Sequence, residues 1–146
     1  MSLDNLVGIS LEKVTPDAVT IKRLLSAAER NIKDAQVLEI SAENRFDAAY
    51  KAIMQLANVA LQANGFRTLT SKPGHHMTMI QSLGHTIGLD KSSVIVLDAL
   101  RKQRNVADYS GDIVTGSAVK ECVVQAEALL VATRQWLQAN KPILLE

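Results

Sequence analysis

The sequence predicts an all-α fold, an up-and-down antiparallel bundle of four or five helices. Three observations favour it. Apolar residues recur at intervals of three and four along most of the 146 residues, and capping and turn residues divide the chain into helical segments. The one dense β-branched run, "SSVIVL", leads directly into "DALRKQRN", a strong helix former. We predict one domain over residues 15–141, an N-terminal extension over residues 1–14 and a C-terminal tail over residues 142–146.

The first predicted helix begins in "TPDA". Thr15 is a suitable N-cap, and Pro16 suits the first helical position because its missing N–H has no helical partner there. The apolar pattern continues to about Glu39. Its predicted buried face consists of Val19, Ile21, Leu24, Leu25, Ala28, Ile32, Ala35 and Leu38.

The second predicted helix has the clearest pattern in the chain. Ser41 in "SAEN" supplies the N-cap, and Gly65 ends the helix. The small alanine side chains allow neighbouring helices to approach closely. Its predicted buried face consists of Phe46, Ala49, Tyr50, Ile53, Leu56, Ala57, Ala60 and Leu61.

The rest of the chain predicts three further helices. "RTLTSKPG" is typical of a loop, and a shorter helix from about His76 is closed by Gly88. A fourth helix covers about residues 92–107, followed by the loop "SGDIVTG". Ser117 is the predicted N-cap of the last helix, which ends before Pro142. The residues of the fourth helix predicted to face inward are Val94, Leu97 and Leu100.

Composition narrows the functional classes. The net charge of +1, from 16 basic and 15 acidic residues, argues against a broad phosphate-binding face, and the few aromatic residues argue against a base-stacking platform. The single Cys122 cannot form an internal disulfide and is predicted to be a small buried hydrophobe. The N-terminus lacks the pattern of a signal peptide, and no apolar run is long enough to span a membrane. We expect a cytoplasmic protein with no membrane association.

The stretch "RKQRNVADYSGD" holds the main candidate site. Arg101, Arg104 and Asp108 share one helical face that continues the buried face of the fourth helix. One interpretation is structural: both arginines stabilise the helix C-terminus and Asp108 neutralises them. The other is functional: Arg104 binds a phosphate or a developing charge, and Asn105 orients the ligand. Tyr109 joins this face only if the helix ends or bends near Asp108.

The stretch "GHHM" is a second candidate. His75 and His76 follow a Pro-Gly pair at a helix N-terminus, where a neutral imidazole can cap the helix, pack, or take part in a polar cleft. Adjacent helical residues diverge by about 100°, which makes the two histidines poor joint metal ligands. His85 is expected at the surface or at a helix end. No metal site and no cofactor are predicted.

Three segments together resemble the HEPN (higher eukaryotes and prokaryotes nucleotide-binding) superfamily: "FDAAYKAIMQLANVALQANGFR", "GHH" and "LRKQRNVADYSGD". The likeness covers about residues 18–139. It implies a small up-and-down helical bundle that commonly forms a homodimer. Many members of that superfamily are metal-independent endoribonucleases or toxins paired with a nucleotidyltransferase-type antitoxin, and the resemblance implies the same possibilities for this chain.

The resemblance also implies site residues. The family motif is an Arg, a polar residue and, four to six positions later, a His; Arg104 and Asn105 match it, and Tyr109 stands where the His is expected. Tyr is a much weaker base than His near pH 7. The resemblance thus implies a dimeric module that binds a nucleotide, RNA or a partner protein through a polar cleft around Arg104, with Arg101, Asp108, His75 and His76 nearby. The alternatives are a metal-independent endoribonuclease using Arg104, Asn105 and Tyr109, or a dimerisation scaffold that binds no ligand.

Overall fold

The chain folds as an all-α helical bundle with a small two-stranded sheet, which confirms the predicted fold class. A computed structural model describes residues 3–71, 73–111 and 113–146. The helices are α1 (Ala18–Asp34), α2 (Ala42–Ala63), α3 (His75–Gln81), α4 (Leu83–Thr86), α5 (Lys91–Ser110) and α6 (Gly116–Asn140). The strands are β1 (Leu11–Lys13) and β2 (Phe66–Thr68), and short 3-10 helices cover Leu3–Leu6 and Pro142–Leu145.

Helix α2 is the centre of the bundle. It packs along its length against α1 and α6, and it also contacts α3, α4 and α5. Its large side chains Ile53, Leu56 and Leu61 are completely buried, and each such burial stabilises the fold by about 1.5 to 3 kcal/mol. The predicted buried face is confirmed. Buried alanines let the neighbouring helices approach from more than one side: Ala49, Ala52, Ala57, Ala60 and Ala63.

Two predicted N-caps are wrong by two residues. The N-cap of α1 is Asp17, whose carboxylate accepts hydrogen bonds from the Val19 N–H and the Thr20 hydroxyl, so Thr15 lies outside the helix. The N-cap of α6 is Thr115, whose hydroxyl accepts from the Ala118 N–H at 3.1 Å, and Ser117 lies within the first turn. Each segment offers two capping residues, and the carboxylate or hydroxyl that reaches an unpaired N–H determines the start.

Helix α1 ends at Asp34, five residues before the predicted end at Glu39. The carbonyl of Ala35 accepts a hydrogen bond at 2.8 Å from Arg45 Nε on α2, which satisfies a helix-end acceptor without a further turn. Leu38 is consequently 78% exposed and does not belong to the buried face. Ser41 caps α2 as predicted, accepting from the Asn44 N–H.

The third predicted helix is two short helices, α3 and α4, separated at Ser82. Helix α5 begins after Asp90, whose carboxylate accepts from the Ser93 N–H, so the β-branched run is helical as predicted. The helix extends to Ser110 and stops at Gly111, which has a positive φ of 70°. Among its described side chains, only Leu97 and Leu100 are buried, and both precede the candidate site.

Two segments at the ends of the chain pack on the bundle. Strand β1 pairs antiparallel with β2, with Leu11 opposite Thr68 and Lys13 opposite Phe66. The start of "RTLTSKPG" is therefore a strand and not a loop; a strand of three residues is too short to show an alternating pattern. Leu11 is completely buried, and Leu144 near the other terminus is also buried.

The composition predicts a buried Cys122 and no membrane-spanning segment. Cys122 is fully buried, as predicted, and burial raises the pKa of its thiol to about 12. Within residues 3–71, 73–111 and 113–146, no helix is both long and apolar enough to cross a membrane.

Candidate functional site

A polar cleft lies where α2, α3 and α5 meet, beside α1. Its volume is about 480 Å³. We call it the Arg104 cleft. Its lining consists of Asn31 from α1; Asn44, Asp47, Ala48, Tyr50, Lys51 and Met54 from α2; His76 from α3; and Arg104 from α5.

Arg104 enters the cleft because it continues the buried face of α5, one turn after Leu100. Its Nε lies 3.2 Å from Asp108 Oδ2 and 3.8 Å from Asp47 Oδ1. Neither ion pair has hydrogen-bond geometry, so this buried nitrogen lacks a hydrogen-bond acceptor among the described residues. The guanidinium carbon also lies 5.3 Å from the centre of the Tyr50 ring, a cation–π distance. Charge and the aromatic face hold the side chain while leaving this N–H without an acceptor.

Tyr50 and His76 form a polar pair in the same cleft. The Tyr50 hydroxyl lies 3.2 Å from His76 Nδ1, although the two residues come from different helices. Burial raises the pKa of Tyr50 to about 12, which keeps the hydroxyl protonated near pH 7. Burial is the main cause of the lowered pKa of His76. The neighbouring charges of His75, Arg104 and Arg101 lower this pKa further. A neutral imidazole therefore lies within hydrogen-bond distance of a protonated hydroxyl.

Asp47 adds a hydrogen-bond acceptor to the cleft. Burial, and then the neighbouring charge of Asp108, raise the pKa of Asp47, while Arg104 opposes this change. The carboxylates of Asp47 and Asp108 both lie within 4 Å of Arg104 Nε and compensate part of the guanidinium charge. The cleft therefore combines N–H and O–H donors with a carboxylate acceptor.

The predicted pairing of Asp108 with both arginines is wrong for one of them. Asp108 pairs with Arg104, one helical turn away. Arg101 Nε instead donates to Asp98 Oδ1 at 2.8 Å, one turn earlier on α5. Asp98 is the closer partner because Arg101 lies two turns before Asp108. Neither arginine stands in the last turn of α5, since the helix continues to Ser110.

The other predicted residues are placed differently. Asn105 is half-buried but is not part of the cleft lining, so Arg104 and Asn105 do not come together there. His75 packs edge-on against His76, with ring centres 4.6 Å apart, and does not line the cleft either. The backbone of Tyr109 belongs to α5, but its side chain lies outside the described residues, as does all of Asp112. His85 is exposed on α4.

The sequence interpretation missed the contribution of α2 to this cleft. Tyr50 was assigned to the buried face, and it is only 2% exposed, but its hydroxyl reaches a polar partner. Asp47, Tyr50 and Lys51 are spaced i, i+3 and i+4 in "DAAYK", which places them along one edge of the helix. Polar residues beside a buried Tyr at that spacing were the available signal.

The side chains that could coordinate a metal ion are not grouped in the described parts of the chain. Within the described residues, no three His, Cys, Asp or Glu side chains are grouped so that they could hold a metal ion. The candidate chemistry of the cleft is thus that of Arg104, His76, Tyr50, Lys51 and Asp47.

The chain matches no family model and no curated protein.

Proposed function

We propose that this chain is a HEPN-like module that binds a nucleotide or RNA through the Arg104 cleft, acting as a homodimer of toxin–antitoxin or defence type. The observation that supports the binding site most directly is the partly exposed guanidinium of Arg104 in the lining of a polar cleft. The exposed part of a guanidinium can donate charge-assisted hydrogen bonds to a phosphate oxygen.

The other lining residues favour a nucleotide over inorganic phosphate. Lys51 can donate to phosphate oxygens, and Asn44 can donate or accept. The carboxylate of Asp47 would repel a free phosphate, but it can accept a hydrogen bond from a ribose hydroxyl or a base amino group. A ligand that carries both kinds of group uses the whole lining.

The test is the affinity of single-stranded RNA for the wild type and for Arg104→Ala, measured by fluorescence anisotropy at one fixed salt concentration. Loss of a charge-assisted hydrogen bond should weaken binding by about tenfold or more. Arg104→Lys should weaken it less, because Lys keeps the charge but loses the planar donor geometry. Arg67→Ala is the matched control, since Arg67 pairs with Glu12 at the small sheet and does not line the cleft.

Thermal unfolding separates a binding role from a structural one. Arg104→Ala should change the melting temperature by no more than a few degrees, because the side chain is held by partly exposed ion pairs. A large loss of stability would indicate that Arg104 fastens α5 to α2. Unchanged RNA affinity in Arg104→Ala would contradict the proposal and favour the dimerisation scaffold.

A second candidate function is metal-independent endoribonuclease activity. The observation that favours it is the neutral His76 beside Arg104 in one cleft. In such a reaction an imidazole removes the proton of a ribose 2′-hydroxyl, the 2′-oxygen attacks the adjacent phosphorus, and the 5′-oxygen leaves with a proton from a nearby acid. Arg104 would stabilise the charge that develops on the phosphate oxygens.

Cleavage of single-stranded RNA in the presence of EDTA tests this second candidate. Activity that disappears in both Arg104→Ala and His76→Ala, with a 2′,3′-cyclic phosphate as product, would support it. Absence of cleavage by folded wild-type protein that binds RNA would leave the binding module as the function.

The homodimer is proposed from the family resemblance, and two exposed apolar residues on α5 are compatible with it. Ile95 and Val106 are both more than half exposed. Sedimentation equilibrium should give a mass twice that of the 15.9 kDa chain. The nucleotidyltransferase-type antitoxin is proposed as a partner on the resemblance alone, and co-purification with such a protein encoded beside this chain would test it.

A further inference from the structure

The Arg104 cleft continues into a second polar groove between α1 and α2. The two share Asn31 and Lys51 as lining residues, so they are contiguous. The second groove, of about 380 Å³, continues past these residues to Ala27, Arg30, Lys33, Asp34 and Gln55, so its lining holds one carboxylate beside the three basic side chains of Arg30, Lys33 and Lys51. We call it the α1–α2 groove.

Helix geometry explains the shape of the α1–α2 groove. Ala27, Arg30 and Asn31 are spaced i, i+3 and i+4 on α1, and Lys51 and Gln55 are spaced i and i+4 on α2, so each set lies along one helix face. Asn31 Nδ2 donates to Gln55 Oε1 at 2.9 Å and joins the two helices across the groove. The small Ala27 side chain leaves space on the α1 wall.

The cations of this groove are available to a ligand. No ion pair joins Arg30, Lys33 or Lys51 to a carboxylate within the described parts of the chain. All three residues are exposed. Other basic residues, such as Lys13, Arg101 and Arg134, are paired with carboxylates.

We propose that the α1–α2 groove is a second phosphate subsite, which makes the ligand of the Arg104 cleft a single-stranded polynucleotide and not a mononucleotide. This inference rests on the proposed nucleic-acid-binding function. One phosphate group occupies the Arg104 cleft, Lys51 lies at the junction, and the following phosphates of the same strand contact Arg30 and Lys33. The groove contains no aromatic side chain among its lining residues, so it reads the phosphodiester backbone and not the bases.

The experiment compares two probes, a fluorescein-labelled uridine dinucleotide and an oligouridylate of about ten nucleotides, on wild type and the double variant Arg30→Ala/Lys33→Ala. We expect the longer probe to bind the wild type at least about tenfold more tightly than the dinucleotide. The double variant should lose most of that gain, while its affinity for the dinucleotide stays unchanged. Lys51→Ala should weaken both probes.

Salt dependence gives an independent readout. Each lost contact with a single-stranded phosphate lowers the slope of log affinity against log salt by about 0.7, so the double variant should lower it by about 1.4 for the longer probe. Lys120→Ala/Lys141→Ala is the matched control: it removes the same charge at residues outside both grooves and should leave the slope unchanged.

The outcomes separate this inference from the function on which it rests. Equal affinity for both probes, or an unchanged longer-probe affinity in Arg30→Ala/Lys33→Ala, would overturn the second subsite and leave the Arg104 cleft intact. Failure of the wild type to bind either probe would overturn the proposed function and the subsite with it. An oligodeoxyuridylate of the same length identifies the source of the phosphates: equal binding supports backbone recognition, and loss of binding with DNA assigns the subsite to RNA.

Discussion

A neutral imidazole and a protonated phenol face each other at 3.2 Å in the Arg104 cleft. The lowered pKa of His76 is caused first by burial and then by the nearby charges of His75, Arg104 and Arg101. The cationic form of His76 is thus unfavourable in the folded protein. Its protonation state also affects the cleft, since a cation there would add to the charge of Arg104 and attract anions more strongly as the pH falls.

The stability of the fold should depend on pH through His76. The unfolded chain binds this proton with the ordinary pKa of about 6.5, and the folded chain binds it more weakly, so the free energy of unfolding falls as pH decreases through 6.5 towards the folded pKa. In His76→Gln the melting temperature should therefore fall a few degrees less than in the wild type between about pH 7.5 and about pH 5.5.

His85→Gln is the control for this measurement, because His85 is exposed and lies outside the cleft. The raised pKa of Asp47 acts with the opposite sign, since a carboxyl group that favours its protonated form loses stability as pH rises. Asp47 is present in both variants, so its contribution is common to the comparison. Equal losses of melting temperature in His76→Gln and the wild type would show that His76 does not penalise protonation.

Helices α2 and α5 differ in how many of their side chains are buried. Helix α2 is buried among several neighbours; Ser41 and Gly65 predicted its ends, and its apolar spacing predicted its buried face. Helix α5 has fewer buried side chains and ends with a polar segment. The spacing of Arg101, Arg104 and Asp108 predicted their common face but not which carboxylate each arginine contacts, since Asp98 lies one turn before Arg101 and Asp47 lies on α2.

The N-cap of α6 can be tested by substitution. Thr115→Ala should reduce stability by about 1 kcal/mol, because the Ala118 N–H loses its acceptor. Ser117→Ala should cost less, since the Ser117 hydroxyl hydrogen-bonds to the Thr115 hydroxyl at 3.1 Å and, among the described residues, caps no backbone N–H of α6. Urea unfolding of both variants provides the comparison. A larger loss of stability in Ser117→Ala than in Thr115→Ala would identify Ser117, the predicted N-cap, as the residue that caps α6.

Across the whole molecule, the bundle could be predicted from periodicity, but the contacts between distant segments could not. The pairing of β1 with β2 joins residues more than 50 positions apart, and the contact between Tyr50 and His76 joins two helices. Local spacing contains no information about which distant surface a residue meets. The residues of the Arg104 cleft were therefore partly predicted, through Arg104 and His76, while Asp47 and the hydroxyl of Tyr50 required the packed fold.

Leu11 links the N-terminal segment to the stability of the whole fold. It is completely buried beside the small sheet, so Leu11→Ala should reduce the free energy of unfolding by about 2 to 5 kcal/mol. Ile9→Ala, at a residue that is 64% exposed, should change it by less than about 0.5 kcal/mol. Chemical denaturation of the two variants measures the difference. Equal effects would mean that burial of Leu11 adds no more to stability than the exposed side chain of Ile9.

The burial pattern of α5 has a further consequence for the cleft. Leu97 and Leu100 anchor the first half of the helix, and beyond them the described contacts of the second half include ion pairs from Arg104 to α2 and to its own next turn. Segments with few buried apolar contacts open at a lower free energy than the core, and their amide hydrogens exchange faster. An anion that bridges Arg104 and Lys51 would slow this local opening. The last turns of α5 would thus report occupancy of the cleft through their exchange rates.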